Sequence, residues 1–355
     1  AGHRAGSEPL QGGHGGDDTR KGKHRRTGRN DRTLTVHAKS SLLVLLGPTA
    51  VGKTELSLEL AETLGTDIIS GDSMCIYRGF DIGSAKPTVA EQARVPHHLV
   101  DVLDADESFS VTAFVARVAA LVKEYEMRGR LPFVVGGTGL YIKALIEGYD
   151  FNETQEHRFF RRAMEEIAAR RGNTRVHSFL AHRDPQAAER LHANNLRRVI
   201  RALEVVRYGD ERISQESAFA VGAAPYDAFV IGLTRARPHL YERINARVEA
   251  MFKAGLVDEV AALLAGGVRR DAPAMKGIGY RETAAYLAGE MGRAEAVAAI
   301  QTATRHFAKR QMTWYRRMPY IHWYDADART EQELLHVILA DIRAWQETRE
   351  RSTQA

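Results

Sequence analysis

Residues Gly47-Pro48-Thr49-Ala50-Val51-Gly52-Lys53-Thr54 satisfy every fixed position of the pattern G-x-x-x-x-G-K-[ST]. The run Ser41-Leu42-Leu43-Val44-Leu45-Leu46 precedes them, and an amphipathic stretch from Thr54 to Leu64 follows. Continuous apolarity over a short run suits a strand buried on both faces of a parallel sheet. A strand, a glycine-rich turn and a helix in that order form a phosphate cradle. The glycines let backbone N–H groups approach phosphate oxygens, and the helix start adds partial positive charge. Lys53 reaches terminal phosphates in such a loop, and the Thr54 hydroxyl is the expected Mg²⁺ ligand. The motif alone does not distinguish a nucleotide such as ATP from another diphosphate.

The rest of the chain supports an α/β core with a parallel sheet. Further apolar pieces are Asp67-Ile68-Ile69-Ser70, His98-Leu99-Val100-Asp101-Val102, Leu131-Pro132-Phe133-Val134-Val135 and Ala228-Phe229-Val230-Ile231-Gly232-Leu233. Residues 110–128 read as a helix capped by Ser110. The expected organisation is a disordered basic tail (1–40), the first part of a P-loop core (41–151), a helical insertion (152–225), and core completion with long C-terminal helices (226–355). Helical patterns fill the last part to about residue 348, and no internal repeat is present.

Composition narrows the partners. The net charge is +5, and residues 1–40 carry nine Lys/Arg against four acids, so the tail holds the whole excess. The remaining chain balances 41 basic with 41 acidic residues, so nucleic acid would have to meet a local basic patch. The single cysteine, Cys75, excludes an intramolecular disulfide and fits a reducing compartment. No apolar run approaches the ~18 residues of a membrane span. The expectation is a cytoplasmic monomer.

Several other residues are candidates, each with a plainer reading beside it. Asp72 lies just past the second apolar run, at the strand end where open α/β sheets bind ligands. It could take a proton from a nucleophile, or be an ordinary loop carboxylate or helix cap. Gly136-Gly137-Thr138-Gly139-Leu140-Tyr141 is a second ligand-edge turn or a simple strand-to-helix connection. His97-His98 suits structural hydrogen bonding better than a metal site. In 194–207, Leu196, Val199, Ile200, Leu203 and Val206 make one face, while Arg197, Arg198 and Arg201 share the other. In 305–317, Arg305, Lys309, Met312 and Arg316 share a face, with Gln311, Trp314 and Tyr315 interleaved. Basic residues near aromatics hold phosphates and stack on unpaired bases, although either face could be simply solvated. Arg243 and Arg247 stand four apart on one helix and suit a diphosphate clamp or ion pairs with Glu242 or Glu249.

Together these segments resemble the tRNA dimethylallyltransferases, the isopentenyl-tRNA transferase family. The resemblance is carried by Gly47–Thr54; by Ile69-Ser70-Gly71-Asp72-Ser73 through Ile76-Tyr77-Arg78-Gly79; and by Asp81-Ile82-Gly83-Ser84-Ala85-Lys86-Pro87. It continues in Pro96-His97-His98-Leu99-Val100-Asp101, Val135–Tyr141, Arg201-Ala202-Leu203-Glu204-Val205, Gly277-Ile278-Gly279-Tyr280-Arg281-Glu282 and Lys309-Arg310-Gln311-Met312-Thr313-Trp314. These run in order from about 42 to 324. The family's proline-containing segment is replaced here by Ala193-Asn194-Asn195-Leu196.

The resemblance implies transfer of a dimethylallyl group from dimethylallyl diphosphate to the N6 amine of the adenosine immediately 3′ of the anticodon. The P-loop then grips a prenyl diphosphate and not ATP. Asp72 is implied as general base. Lys53, Mg²⁺ on Thr54 and Arg247 are implied to stabilise the leaving diphosphate, with Thr138 positioning the diphosphate or the adenine. Asp72, Ser73, Met74, Cys75, Arg197, Arg198, Arg201, Gly279, Tyr280, Arg281, Lys309, Arg310, Gln311, Trp314 and Arg316 are implied to meet the anticodon stem-loop, with the 152–225 insertion as a clamp. The competing readings are a small-molecule kinase on the same core and an RNA-binding NTPase.

Overall fold

The computed structural model describes residues 39–149, 157–208 and 224–354. Most of the expected basic tail therefore lies outside the described residues. Six strands form one parallel sheet: β1 (Ser40–Leu46), β2 (Ile68–Ser70), β3 (His97–His98), β4 (Phe133–Gly136), β5 (Tyr226–Thr234) and β6 (Ile321–Asp325), in the order β3-β2-β4-β1-β5-β6. β1 lies at the centre, with Leu43 opposite Phe133 on one side and Phe229 on the other.

The alternation along β1 builds two cores. Leu43 and Leu45 join Leu56, Leu60, Ile244, Leu334 and Ile338 on one face of the sheet. Leu42, Val44 and Leu46 join Phe114, Val118, Ile142 and Tyr315 on the other. All five β1 residues from Leu42 to Leu46 are fully buried. Each such side chain contributes about 1.5–3 kcal/mol of transfer free energy, which is why this run is continuous and not alternating in hydropathy.

Helices follow the strands. The P-loop leads into α1 (Lys53–Leu64), whose Gly65 adopts the left-handed conformation that closes it. α2 (Val89–Arg94) precedes β3, and α3 (Val111–Met127) is capped by Ser110 Oγ accepting from Ala113 N–H. α4 (Gly139–Glu147) follows β4. α5 (Arg158–Arg171), α6 (Asn173–Arg183), α7 (Pro185–Arg190) and α8 (Leu196–Tyr208) enclose a small core of their own around Val176, Leu180, Val199 and Ile200. After β5 come α9 (Arg237–Lys253), α10 (Leu256–Ala265), α11 (Tyr280–Leu287) and α12 (Arg293–Tyr315); α13 (Glu331–Gln354) follows β6. Among the described residues no helix is long and apolar enough to cross a membrane.

Two expectations are corrected. The run His98–Val102 is not a strand beyond His98. Leu99 and Asp101 have φ of 61° and 55°, and the chain turns so that Val102 N–H bonds Ile76 O at 2.8 Å. The buried ammonium of Lys86, 2.5 Å from Asp101 Oδ1, rewards that turn. The C-terminal part is also not wholly helical, because β6 lies within it. It is an edge strand of five residues with only Ile321 and Tyr324 buried, so it carries no apolar run.

Candidate functional site

The carboxyl ends of three neighbouring strands bring the motifs together. In sheet order these are Asp72 after β2, Gly137-Thr138 after β4 and the P-loop after β1. The loops after β2 and β4 are tied by hydrogen bonds. Gly71 N–H donates to Val135 O at 2.7 Å, Thr138 N–H to Gly71 O at 3.3 Å, and Ser73 N–H to Thr138 Oγ1 at 3.1 Å. Gly136 is obligatory here, since a Cβ on it would lie 2.3 Å from the Gly71 backbone. Asp72 Oδ1 accepts from Met74 N–H at 2.8 Å. Its Oδ2 faces Gly137, 3.9 Å from the position a Cβ would take there.

In the P-loop, Ala50 and Gly52 are left-handed, with φ of 64° and 112°. Lys53 Nζ folds back over the loop and donates to Gly47 O at 2.9 Å and Pro48 O at 3.0 Å. Burial lowers the Lys53 pKa to about 8; Arg247 repels its proton further, and Asp72 partly offsets both. Burial likewise lowers Arg247, while Asp72 raises it. Lys53, Arg247 and Asp72 therefore share one electrostatic cluster. Arg243 instead turns to the loop backbone, with Nε donating to Ala50 O at 2.9 Å. Thr54 lies exposed in the first turn of α1.

The residues expected at an RNA surface divide. Arg197 and Arg198 are exposed on α8, and Lys309, Arg310 and Arg316 are exposed on or just after α12. Arg201 bonds the fully buried Glu204 at 2.7 Å, as does Arg161 of α5. Arg281 is exposed and ion-paired with Glu282, whose Oε2 also accepts from Gly279 N–H at 2.9 Å. Ser73 and Met74 are half-buried. Trp314 is half-buried, packs on Gly139 and lies under Lys143, and its Nε1 is buried with no hydrogen-bond partner among the described residues.

Three others are interior, which corrects their expected placement. The Cys75 thiol is buried, and that burial pushes its pKa up. The Tyr280 hydroxyl donates to Glu259 at 2.7 Å and accepts from Ser84 N–H at 3.1 Å. Gln311 joins the two loops of the site: its Nε2 donates to Gly137 O at 2.7 Å and its Oε1 accepts from Thr49 N–H at 3.0 Å. Tyr315, one turn on, donates to Gly137 O at 2.7 Å.

Sequence reasoning missed other supports. Glu259 accepts from the N–H groups of Asp81, Ile82 and Gly83, which fixes the loop after Asp72. Lys86, with a 3% exposed side chain, also bonds Tyr77 O and Asp81. Arg235 Nε donates to Val51 O at 2.8 Å. The ties of Glu259 and Arg235 span long sequence separations, and no local pattern encodes them. His97 Nδ1 donates to Val95 O and His98 meets Asp67, as the structural reading of that pair expected.

Comparison with known proteins fits this arrangement. The family model described as IPP transferase matches residues 75–318. A tRNA dimethylallyltransferase of Bacillus anthracis is 44% identical over 301 residues, which is 84% of this chain and 96% of that protein. One from Bacillus cytotoxicus is 43% identical over 301 residues, covering 84% and 95%. The crystal structure of the full-length tRNA isopentenylpyrophosphate transferase of Bacillus halodurans superposes with a TM-score of 0.67 at 40% identity, covering 89% of this chain and all of that one. A eukaryotic dimethylallyltransferase acting on tRNA shares the fold, with a TM-score of 0.73 at 24% identity over 86% of this chain and 80% of that one. The chain belongs to the IPP transferase family, the tRNA dimethylallyltransferases.

Proposed function

We propose that the chain transfers a dimethylallyl group from dimethylallyl diphosphate to the exocyclic N6 amine of the adenosine immediately 3′ of the anticodon in tRNA, with release of diphosphate. The observation that carries the reading is the junction of two differently equipped loops. The P-loop, Lys53 and Arg247 are cationic, whereas Asp72, at the end of β2 on the other side of β4, is a carboxylate backed by Gly137 and Thr138. Donor and acceptor thus have separate, adjoining places.

The amine of adenine is a weak nucleophile because its lone pair is delocalised into the ring. As N6 bonds to the C1 carbon of the dimethylallyl group, the C1–O bond breaks and its electron pair leaves with the diphosphate. Asp72 accepts the N6 proton. Its Oδ1 is occupied by Met74 N–H, so Oδ2 is the oxygen available to the amine. Charge growing on the departing diphosphate is met by the loop amides, Lys53 and Arg247. Lys53 exchanges its bonds to Gly47 O and Pro48 O for phosphate oxygens. Thr138 Oγ1 holds the Ser73 amide and so keeps the Asp72 loop against β4.

Mg²⁺ fits the exposed hydroxyl of Thr54, because that ion usually takes one or two protein oxygens and completes its shell with phosphate and water. Among the described residues no cluster of three His, Cys, Asp or Glu side chains offers an all-protein cage. When bound, the ion supplies positive charge to the diphosphate. The anticodon stem-loop meets the exposed arginines of α8 and the basic face of α12. The target base leaves its stack at a cost of a few kcal/mol.

A transfer assay tests the reading. The protein, Mg²⁺, labelled dimethylallyl diphosphate and unmodified tRNA are incubated together, with ATP and tRNA as a parallel arm. Label enters the tRNA and ATP is not consumed. ATP turnover without label in the tRNA would return the P-loop to a nucleotide.

A further inference from the structure

The crown of the P-loop, Ala50-Val51-Gly52, is held from outside by two arginines. Arg235 Nε donates to Val51 O at 2.8 Å and Arg243 Nε to Ala50 O at 2.9 Å. Both guanidinium groups flank Gly52: a Cβ there would lie 3.6 Å from Arg235 Nη2 and 4.0 Å from Arg243 Nη2. In a planar trans peptide the C=O and the following N–H point in opposite directions. Pinning the carbonyls of Ala50 and Val51 outward therefore turns the amides of Val51 and Gly52 to the other side of the loop, where that of Val51 meets Pro48 O at 3.3 Å.

Arg235 is itself fixed. Its Nη1 lies 2.5 Å from Asp327 Oδ1, and both side chains are largely buried, at 16% and 18% exposure. Asp327 Oδ2 also accepts from Ala236 N–H at 2.8 Å and lies 3.1 Å from His239 Nδ1. Sheet order explains the contact. β1, β5 and β6 are consecutive in the sheet, so their carboxyl ends place the P-loop, Arg235 and Asp327 side by side. A planar guanidinium can bond a carbonyl and a carboxylate at once, which an ammonium does not reproduce.

We propose that Arg235, buttressed by Asp327 and working with Arg243, is a positioning residue for the diphosphate: it sets the aim of the P-loop amides without touching the substrate. The proposal rests on the donor-site reading above. Diphosphate affinity then depends on the strap β6–Asp327–Arg235, which lies on the far side of the P-loop from Asp72.

The test measures binding of inorganic diphosphate with Mg²⁺ by titration calorimetry, alongside steady-state transfer. Arg235→Gln weakens diphosphate binding about tenfold and raises KM for dimethylallyl diphosphate by a similar factor. It leaves kcat within about twofold and tRNA affinity unchanged, since bound substrate and transition state lose the same contacts. Arg235→Lys keeps the charge but not the fork and stays weakened. Asp327→Asn moves binding in the same direction and adds little in the Arg235→Gln background. Wild-type affinity in Arg235→Gln, full recovery in Arg235→Lys, or additive effects in the double variant would each overturn the proposal. Failure of the wild-type protein to bind diphosphate would instead remove the donor-site reading beneath it.

Discussion

Lys53 shows how far a single residue's chemistry departs from its type. Its place in the motif announces a phosphate-binding cation, yet burial and Arg247 bring its pKa to about 8 from an ordinary 10.5. Two opposite trends follow. Between about 8 and 10.5 the folded protein has released a proton that the unfolded chain still holds, so this group adds stability as pH rises through that window. Diphosphate binding requires the cation and weakens as pH climbs above about 8, by up to about tenfold per unit. Lys53→Arg, which stays charged, removes that break from a plot of diphosphate affinity against pH. A break of the same size in the variant would assign it to another group. The motif carried the identity of Lys53 but not its ionisation, because the shift comes first from burial and then from Arg247, which stands on a helix almost 200 residues away in sequence.

At the scale of elements, α12 performs two tasks on two faces. Lys309 and Arg310 are exposed, whereas Gln311 and Tyr315 are buried against the loops of the site. The helical spacing and the basic face were legible in the sequence. The inward role of Gln311 was not, since its partner Thr49 is 262 residues away and polar side chains read as solvent-facing. Gln311→Ala leaves the part-buried Thr49 N–H and the buried Gly137 O without this partner and loosens both loops. It lowers kcat/KM for transfer by about tenfold to a hundredfold, while tRNA affinity and its salt dependence stay at wild-type values. A loss of tRNA affinity with intact transfer on bound tRNA would restore the RNA-contact role.

α8 has a comparable interior feature. Its apolar face was clear from periodicity, but Glu204 within it is fully buried and bonded by Arg161, Arg201 and the His157 N–H. Burial raises the Glu204 pKa, but those bonds outweigh it and hold the carboxyl below its ordinary 4.5. The stabilisation is present above that value and fades as pH falls through the lowered one. Glu204→Ala removes the carboxylate that two arginines bond. Removing one partner of a fully buried pair costs about 3–5 kcal/mol. Here Arg161 and Arg201 keep 29% and 38% exposure, and the expected loss is about 2–3 kcal/mol. Hydrogen exchange resolved by segment should show it in α5–α8, with the parallel sheet still protected; uniform loss across both would contradict a separate core.

For the whole molecule, the decisive property is the order of strands. β1, β4 and β5 were readable as short buried runs, because parallel strands covered on both faces must be apolar throughout. The order β2-β4-β1-β5-β6 was not, and that order makes neighbours of Asp72, Thr138, the P-loop, Arg235 and Asp327. On the proposed reading, it turns a phosphate cradle and a carboxylate, each unremarkable alone, into adjoining places for a leaving group and a nucleophile. Charge follows the same logic: residues 41–355 balance acid and base, so attraction for an RNA backbone depends on local faces such as those of α8 and α12.

The most direct test is a single-turnover transfer from labelled dimethylallyl diphosphate to unmodified tRNA, followed by digestion and location of the label, run with the wild-type protein and with Asp72→Asn. The account predicts label on N6 of the adenosine 3′ to the anticodon. It predicts a rate about a hundredfold to ten-thousandfold lower in Asp72→Asn, with diphosphate and tRNA still bound. Label at another nucleotide, or near wild-type transfer by Asp72→Asn, would contradict it.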